Sequence, residues 1–279
     1  NLNIANDVII NLGTGAISVN GNIANEGVIN GGNSTIEFTA TQDQTISGSG
    51  STLLNNLTLN KSSGDLIINA PLQLEGTLSM LKGNINNGLN TLTIGSSSAS
   101  TGSISYASGS VTGKLRRYFA EGSNASNFFP IGTASATRDV TVAFPTTPGT
   151  DQYLTASYNT GYPQLSATDL YEGLPLTTSD GQLIQNYDDE GYWEINPTSD
   201  NYSSSINSTT YNLTIHMNGL TGVSSASMDR NKVRLIKSAG PGHTSWEALT
   251  HVSIGGADTN SDYTITAGGT GFSFFGAGT

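Results

Sequence analysis

The segment "NNLTLNKSSGDLIINAPLQLEGTLSMLKGNINNG", Asn55 to Gly88, decides the fold. Leu57 and Leu59, Leu66 and Ile68, and Leu72 and Leu74 each place two apolar side chains on one face of a short strand, because side chains alternate along extended backbone. Between these pairs stand Asn, Gly and Ser, which tolerate the positive φ of tight corners. Helical spacing of apolar residues at i, i+3 and i+4 is not sustained here.

Outward from that segment, like units recur: "ISVNGNI" at Ile17, "TIEFTA" at Thr35, "QTISGSG" at Gln44, "NTLTIGSSS" at Asn90 and "GSISYASG" at Gly102. Like strands return every 17–22 residues or so, a period that belongs to solenoids. A parallel β-solenoid of roughly five turns is expected over residues 1–109, with small aliphatics inside. Asn beside the corners is expected to bond from coil to coil, as in other stacked β-structures. A meander of hairpins uses the same Asn-Gly turns and is the competing arrangement.

Composition changes near residues 105–115. Before Tyr106 the chain holds one aromatic, Phe38, and one proline, Pro71. All other aromatics follow, including Trp193 and Trp246. A core without aromatics is thin, whereas Trp, Tyr and Phe fill the gap of about 10 Å between packed sheets. Residues 110–279 also read as longer alternating strands: "GKLRRYF" (113–119), "RDVTVAFP" (138–145), "GYWEINP" (191–197), "YNLTIHMNG" (211–219), "KVRLIKS" (232–238) and "DYTITAGG" (262–269). In "YNLTIHMNG", Tyr211, Leu213, Ile215 and Met217 share one face, the mark of a strand with one side on a core. The expected fold is all-β: an N-terminal parallel β-solenoid followed by an antiparallel β-sandwich, with Trp193 in the sandwich core.

Length and charge bound the function. The 279 residues include 11 % charged positions and carry a net charge of −11. Nucleic acid is not an expected partner, because a phosphate-binding surface needs clustered cations and the ten here are scattered. No apolar run approaches the ~20 residues that span a bilayer as a helix, so membrane insertion is not expected. Cysteine is absent, which rules out disulfides and Cys-ligated zinc. Low Lys with abundant Asn, Thr, Ser and Gly suits an extracellular β-protein.

"TIEFTATQDQTISGSGSTLLNNLTLNKSSG", then "LQLEGTLSMLKGNINNGLNTLTIGS", resembles the repeat regions of large secreted and cell-surface proteins of Bacteroidota. "GKLRRYF…FFPIGT…RDVTVAFP", "GYWEINP", "KVRLIKS", "SWEAL" and "GTGFSFFGAG" are similar to the β-sandwich segment that follows such repeats. The likeness spans nearly the whole chain and its motifs are structural. It implies an exported, cell-surface protein of the kind carried by the type IX secretion system. Members carry a signal peptide and a sorting domain that export removes; the present chain fits either a processed product or a piece of a longer one.

Chemical motifs are sparse. The sequence contains no HExxH, no Walker A loop, no GxGxxG and no GxSxG. His216, His243 and His251 have no local partners at metal-ligand spacing. The acidic run in "YDDEGYW" makes Asp188, Asp189 and Glu190 the candidate calcium ligands, provided the loop wraps to aim them at one ion. No catalytic residue and no other cofactor is expected. A β-helix polysaccharide lyase would need cations aligned on a coil face, and residues 1–109 hold only Lys61 and Lys82.

Two functional classes follow. The first is a non-enzymatic structural or adhesive protein of the cell surface, a segment of an adhesin or a head-to-tail fibre subunit, whose partners are copies of itself or other surface proteins. Its first words, "NLNIANDVIINLG", are strand-like from the first residue, so the first coil is expected to be covered by another body. The second is a carbohydrate-binding module, with Tyr158, Tyr162, Tyr171, Tyr187 and Tyr192 as stacking platforms for a polysaccharide.

Overall fold

The computed structural model describes residues 1–122, 126–145, 152–161, 173–197, 209–223, 228–238, 245–259 and 261–279. Strands account for 59 % of the structure, with no α-helix among the described residues. Tertiary contacts divide the chain into two units: Asn1–Ala120 with Pro130–Thr137, and Glu121–Phe129 with Arg138–Thr279.

The first unit is a parallel β-solenoid of about six turns. Its first face stacks Leu2–Ile4, Ile23–Asn25, Gln44–Ser47 and Leu66–Ile68, then the opening residues of Ile85–Ile94 and Val111–Phe119. The second face stacks Ile9–Asn11, Val28–Asn30, Ser51–Leu54 and Leu72–Leu74, then the closing residues of those same two long strands. The third stacks Thr14–Val19, Asn33–Phe38, Asn56–Asn60, Thr77–Lys82 and Ser103–Tyr106.

In-register pairs set the length of a circuit. Leu2 lies beside Ile23, Ile23 beside Ile46, Ile46 beside Ile68, Leu66 beside Ile85 and Ile85 beside Val111. One circuit therefore takes 19 to 26 residues. The longest circuit carries "SSSAS" between second and third faces, which makes the period imperfect.

Parallel register stacks like on like. On the third face Ile36, Leu57 and Leu78 form one buried column, and Phe38, Leu59 and Met80 the next. Each step is about 4.8 Å, so every aliphatic touches its counterpart above and below. At the corners the backbone itself sits against the preceding coil. Gly48 has φ +112°, and a Cβ there would lie 2.0 Å from the Asn25 carbonyl oxygen, so the corner accepts only glycine.

The expected coil-to-coil bonding is present, directed chiefly at backbone. Asn25 Nδ2 donates to Ser51 O at 2.9 Å and to Thr52 Oγ1 at 3.0 Å, and Asn25 Oδ1 accepts from Gly27 N. Gln44 Nε2 donates to Val19 O and Gly21 O. Asn30 Nδ2 to Asn11 Oδ1, at 2.8 Å, is an Asn–Asn rung of the type foreseen. Lys61 is 1 % exposed; its ammonium donates to Ala40 O, Gln42 O and Gln44 Oε1 at 2.6–3.0 Å, which satisfies the charge where burial would otherwise penalise it.

Val111–Phe119, expected as a sandwich strand, belongs to the coil: Leu92 pairs with Leu115 and Ile94 with Arg117, both in parallel. Alternation along a strand says nothing about its partner's direction, so "GKLRRYF" reads alike as an antiparallel sandwich strand or a parallel coil strand. Arg117 is buried on this strand, and burial lowers its guanidinium pKa to about 10.

The second unit is an antiparallel sandwich. One sheet runs Asn127–Phe129, Val140–Ala143, Tyr211–His216, Asp262–Gly269, Thr250–Thr259. The other runs Gln152–Thr160, Gly191–Pro197, Phe274–Gly278, Arg234–Ser238, Trp246–Ala248. Tyr211, Leu213, Ile215 and Met217 are all fully buried, as the alternation predicts. Tyr211 of the first sheet stacks on Phe272 at 4.5 Å and meets Phe275 of the second edge-on at 6.2 Å. Trp193 is 0 % exposed; its indole N–H donates to Arg138 O at 2.8 Å. Arg234–Ser238 is buried along its whole length, because Ile184, Trp246 and Tyr187 cover its outer side.

Candidate functional site

The acidic loop is built by a long-range pairing. Tyr187 bridges to Gly278, and Asp188 N donates to Ala277 O at 2.7 Å, which draws the loop against the last strand. Asp188 is thereby 4 % exposed; its Oδ1 accepts from Glu190 N at 3.0 Å and its Oδ2 is buried beside Gly222. Burial raises its pKa, partly offset by the N–H groups of Glu190 and Gly222. Asp189 is exposed. Glu190 points another way, accepting from Thr221 N at 2.9 Å and from the Thr221 hydroxyl. The three carboxylates thus diverge, and among the described residues no group of three or more His, Asp or Glu side chains is placed to hold one metal ion.

Of the candidate stacking tyrosines, Tyr158, Tyr187 and Tyr192 are engaged in packing. Tyr158 is 8 % exposed, edge-on to Trp193 at 5.3 Å and covered by the Arg138 guanidinium at 5.5 Å. Tyr187 leans on Trp246 and Tyr192 on Phe274, at 5.4 and 5.3 Å. Tyr162 and Tyr171 lie outside the described residues, as does His243. His251, half-buried, has its pKa lowered by burial and by Arg234.

His216 is the titratable site that sequence reading missed. Its Nδ1 lies 3.0 Å from Asp139 Oδ2 and its Nε2 lies 2.6 Å from Asp262 Oδ1, so one ring clips three neighbouring chain segments of a sheet. Its carboxylates approach from opposite ring edges, a geometry that holds an imidazolium. The Asp139 hydrogen bond, aided by Asp262 against burial, pushes its pKa up to about 9 from the ordinary 6.5. The folded state then binds more protons than the unfolded one between these values, so stability falls as pH rises through that window. With Asp262 half exposed the effect is about 1–2 kcal/mol after solvent screening. Urea unfolding from pH 6.5 to 9 will show this loss in the native chain and a flatter profile in His216→Asn.

A different surface arises where the solenoid starts. Among the described residues, Leu2–Ile4, Ile9–Asn11 and Thr14–Val19 each pair on one side only, with the second coil. Leu2 and Ile17 are 38 % and 40 % exposed, whereas Ile23 and Ile36, their in-register counterparts one coil on, are 2 % and 4 % exposed. Val8 and Ile9, at 43 % and 62 %, extend the apolar rim. Leu2, Ile17 and Val19 line a shallow cavity of about 560 Å³ there. Comparison with protein-family models, with curated proteins and with solved structures returned no significant match to this chain.

Proposed function

We propose that this chain is a non-enzymatic structural or adhesive protein of the cell surface, a segment of an adhesin or a head-to-tail fibre subunit, whose first coil is covered by another body, in the fibre a second copy. The carrying observation is the contrast between Leu2 and Ile17 and their buried counterparts Ile23 and Ile36. Three edge strands with unpaired backbone groups and a wet apolar rim are a template for strand addition. The receiving copy offers Thr250–Thr259, an edge strand of its sheet with Val252 52 % exposed. Two different surfaces in contact make a heterologous interface, which propagates. Export rests on the resemblance to Bacteroidota surface proteins and on the cation-poor, Asn/Ser/Thr-rich composition.

Sedimentation and negative-stain microscopy test the assembly. The native chain will form filaments, and Ile9→Asp with Ile17→Lys will abolish them, as will Val252→Lys. Mixing the two blocked forms will give a dimer that grows no further, since one intact surface remains on each. A native chain that stays monomeric at high micromolar concentration, with the amides of residues 2–19 protected from exchange, would falsify the fibre.

A further inference from the structure

The second face of the solenoid carries a groove of about 750 Å³ across four successive coils. Its floor is one outward column, in parallel register: Leu53, Gln73, Thr93 and Arg116. One rim is the Gly48-Ser49-Gly50 corner. The other is Leu89, which is 96 % exposed and follows Gly88 at φ +51°. That projection is braced from below: buried Asn87 donates to Asn90 O at 3.1 Å and Lys114 O at 2.7 Å, and Asn90 donates to Ile68 O.

The chemistry of this lining is selective. The chain has 21 carboxylate residues, yet among the described residues none lines the groove, and its charged member is Arg116. Lys114 stands on the same strand, beside Thr91 of the groove. The Glu26 carboxylate reaches only the opposite rim, where it accepts from Ser49 N and Oγ. Charge therefore runs from negative at the Ser49 end to positive at the Arg116 end.

The floor strands Ser51–Leu54, Leu72–Leu74 and Ile85–Ile94 are paired with coils on both sides, so they offer no backbone to an incoming peptide strand. What the column offers is one side chain per coil, the Leu53 isobutyl group, the Gln73 amide, the Thr93 hydroxyl and the Arg116 guanidinium, about 4.8 Å apart and about 14 Å from end to end. That step is close to the length of one pyranose unit in an extended glycan. Amides and hydroxyls pair with sugar hydroxyls, Leu53 and Leu89 meet C–H faces, and a guanidinium takes a carboxylate.

We infer that this groove is a binding site for an acidic polysaccharide, with a uronate carboxylate on Arg116 and neighbouring sugar hydroxyls on Thr93 and Gln73. This names the ligand class of the adhesive role proposed above and rests on that role, though not on fibre formation.

Titration calorimetry of the full chain with oligogalacturonate, and with dextran as the neutral probe, tests it. The native chain will bind oligogalacturonate saturably and dextran at least tenfold more weakly. Arg116→Gln will weaken oligogalacturonate binding roughly tenfold, the loss of one charge-assisted pair. Gln73→Ala, on the outward face, will weaken it by a smaller factor, with circular dichroism melts unchanged. Absence of saturable oligogalacturonate binding overturns the inference. So does equal affinity for dextran, or affinity that neither substitution alters. Sedimentation of the same samples reads fibre assembly separately, so either idea can fail alone.

Discussion

Trp193→Ala will lower the stability of the sandwich unit by roughly 3–5 kcal/mol, the range for deleting a fully buried large aromatic. The indole is 0 % exposed, so its removal leaves a cavity between two sheets that pack through aromatic contacts. Tyr158 loses the ring it meets at 5.3 Å, and the Arg138 carbonyl loses its 2.8 Å donor. An orphaned buried acceptor adds its own desolvation cost of about 1–3 kcal/mol, so Trp193→Phe should recover most of the packing and none of that bond. The fluorescence of Trp246, which lies in the same unit, will report both transitions in urea. A Trp193→Ala midpoint equal to the native one would remove Trp193 from the core's essential contacts.

Phe38→Ala will cost the solenoid a similar amount, roughly 3–5 kcal/mol, for a different physical reason. Phe38 is the one aromatic of the sequence before Tyr106 and is 0 % exposed between Val19 and Leu59. A stacked core cannot collapse around a hole at one level without pulling three paired strands out of register. Hydrogen exchange should show faster opening of Asn33–Phe38 and Asn56–Asn60, while Thr77–Lys82 and Ser103–Tyr106 keep their protection. Loss of protection spread evenly over every coil would mean that the stack opens as one body, contrary to nearest-neighbour energetics.

Much of this architecture was legible because the solenoid writes its geometry locally. Leu57 with Leu59 and Leu66 with Ile68 point inward as their spacing requires, and Gly48 stands where only glycine fits. Tyr211 to Met217 likewise carries the two-residue period of a half-buried strand. What escaped was the non-local. Val111–Phe119 alternates like any strand, and its parallel partner is seen only in register with Leu92 and Ile94.

Nothing local in "YDDEGYW" marks Asp188 for burial, which comes from its pairing with a strand some ninety residues on. His216 had no neighbour in sequence because its carboxylates lie 77 and 46 positions away. The groove column of Leu53, Gln73, Thr93 and Arg116 draws one residue from each of four circuits of unequal length. No local pattern marks it.

The unequal circuits have one more consequence. Each coil hands its successor the same three strands that it receives from its predecessor, and surplus residues are absorbed at corners, as in the segment between Ile94 and Ser103. A duplicated coil would therefore meet familiar neighbours on both sides. Length in such a rod is a heritable quantity, adjustable in increments of about 4.8 Å. Point substitutions within a coil change the chemistry of its outer face and leave its length alone. Length and surface chemistry can thus evolve through different kinds of genetic change.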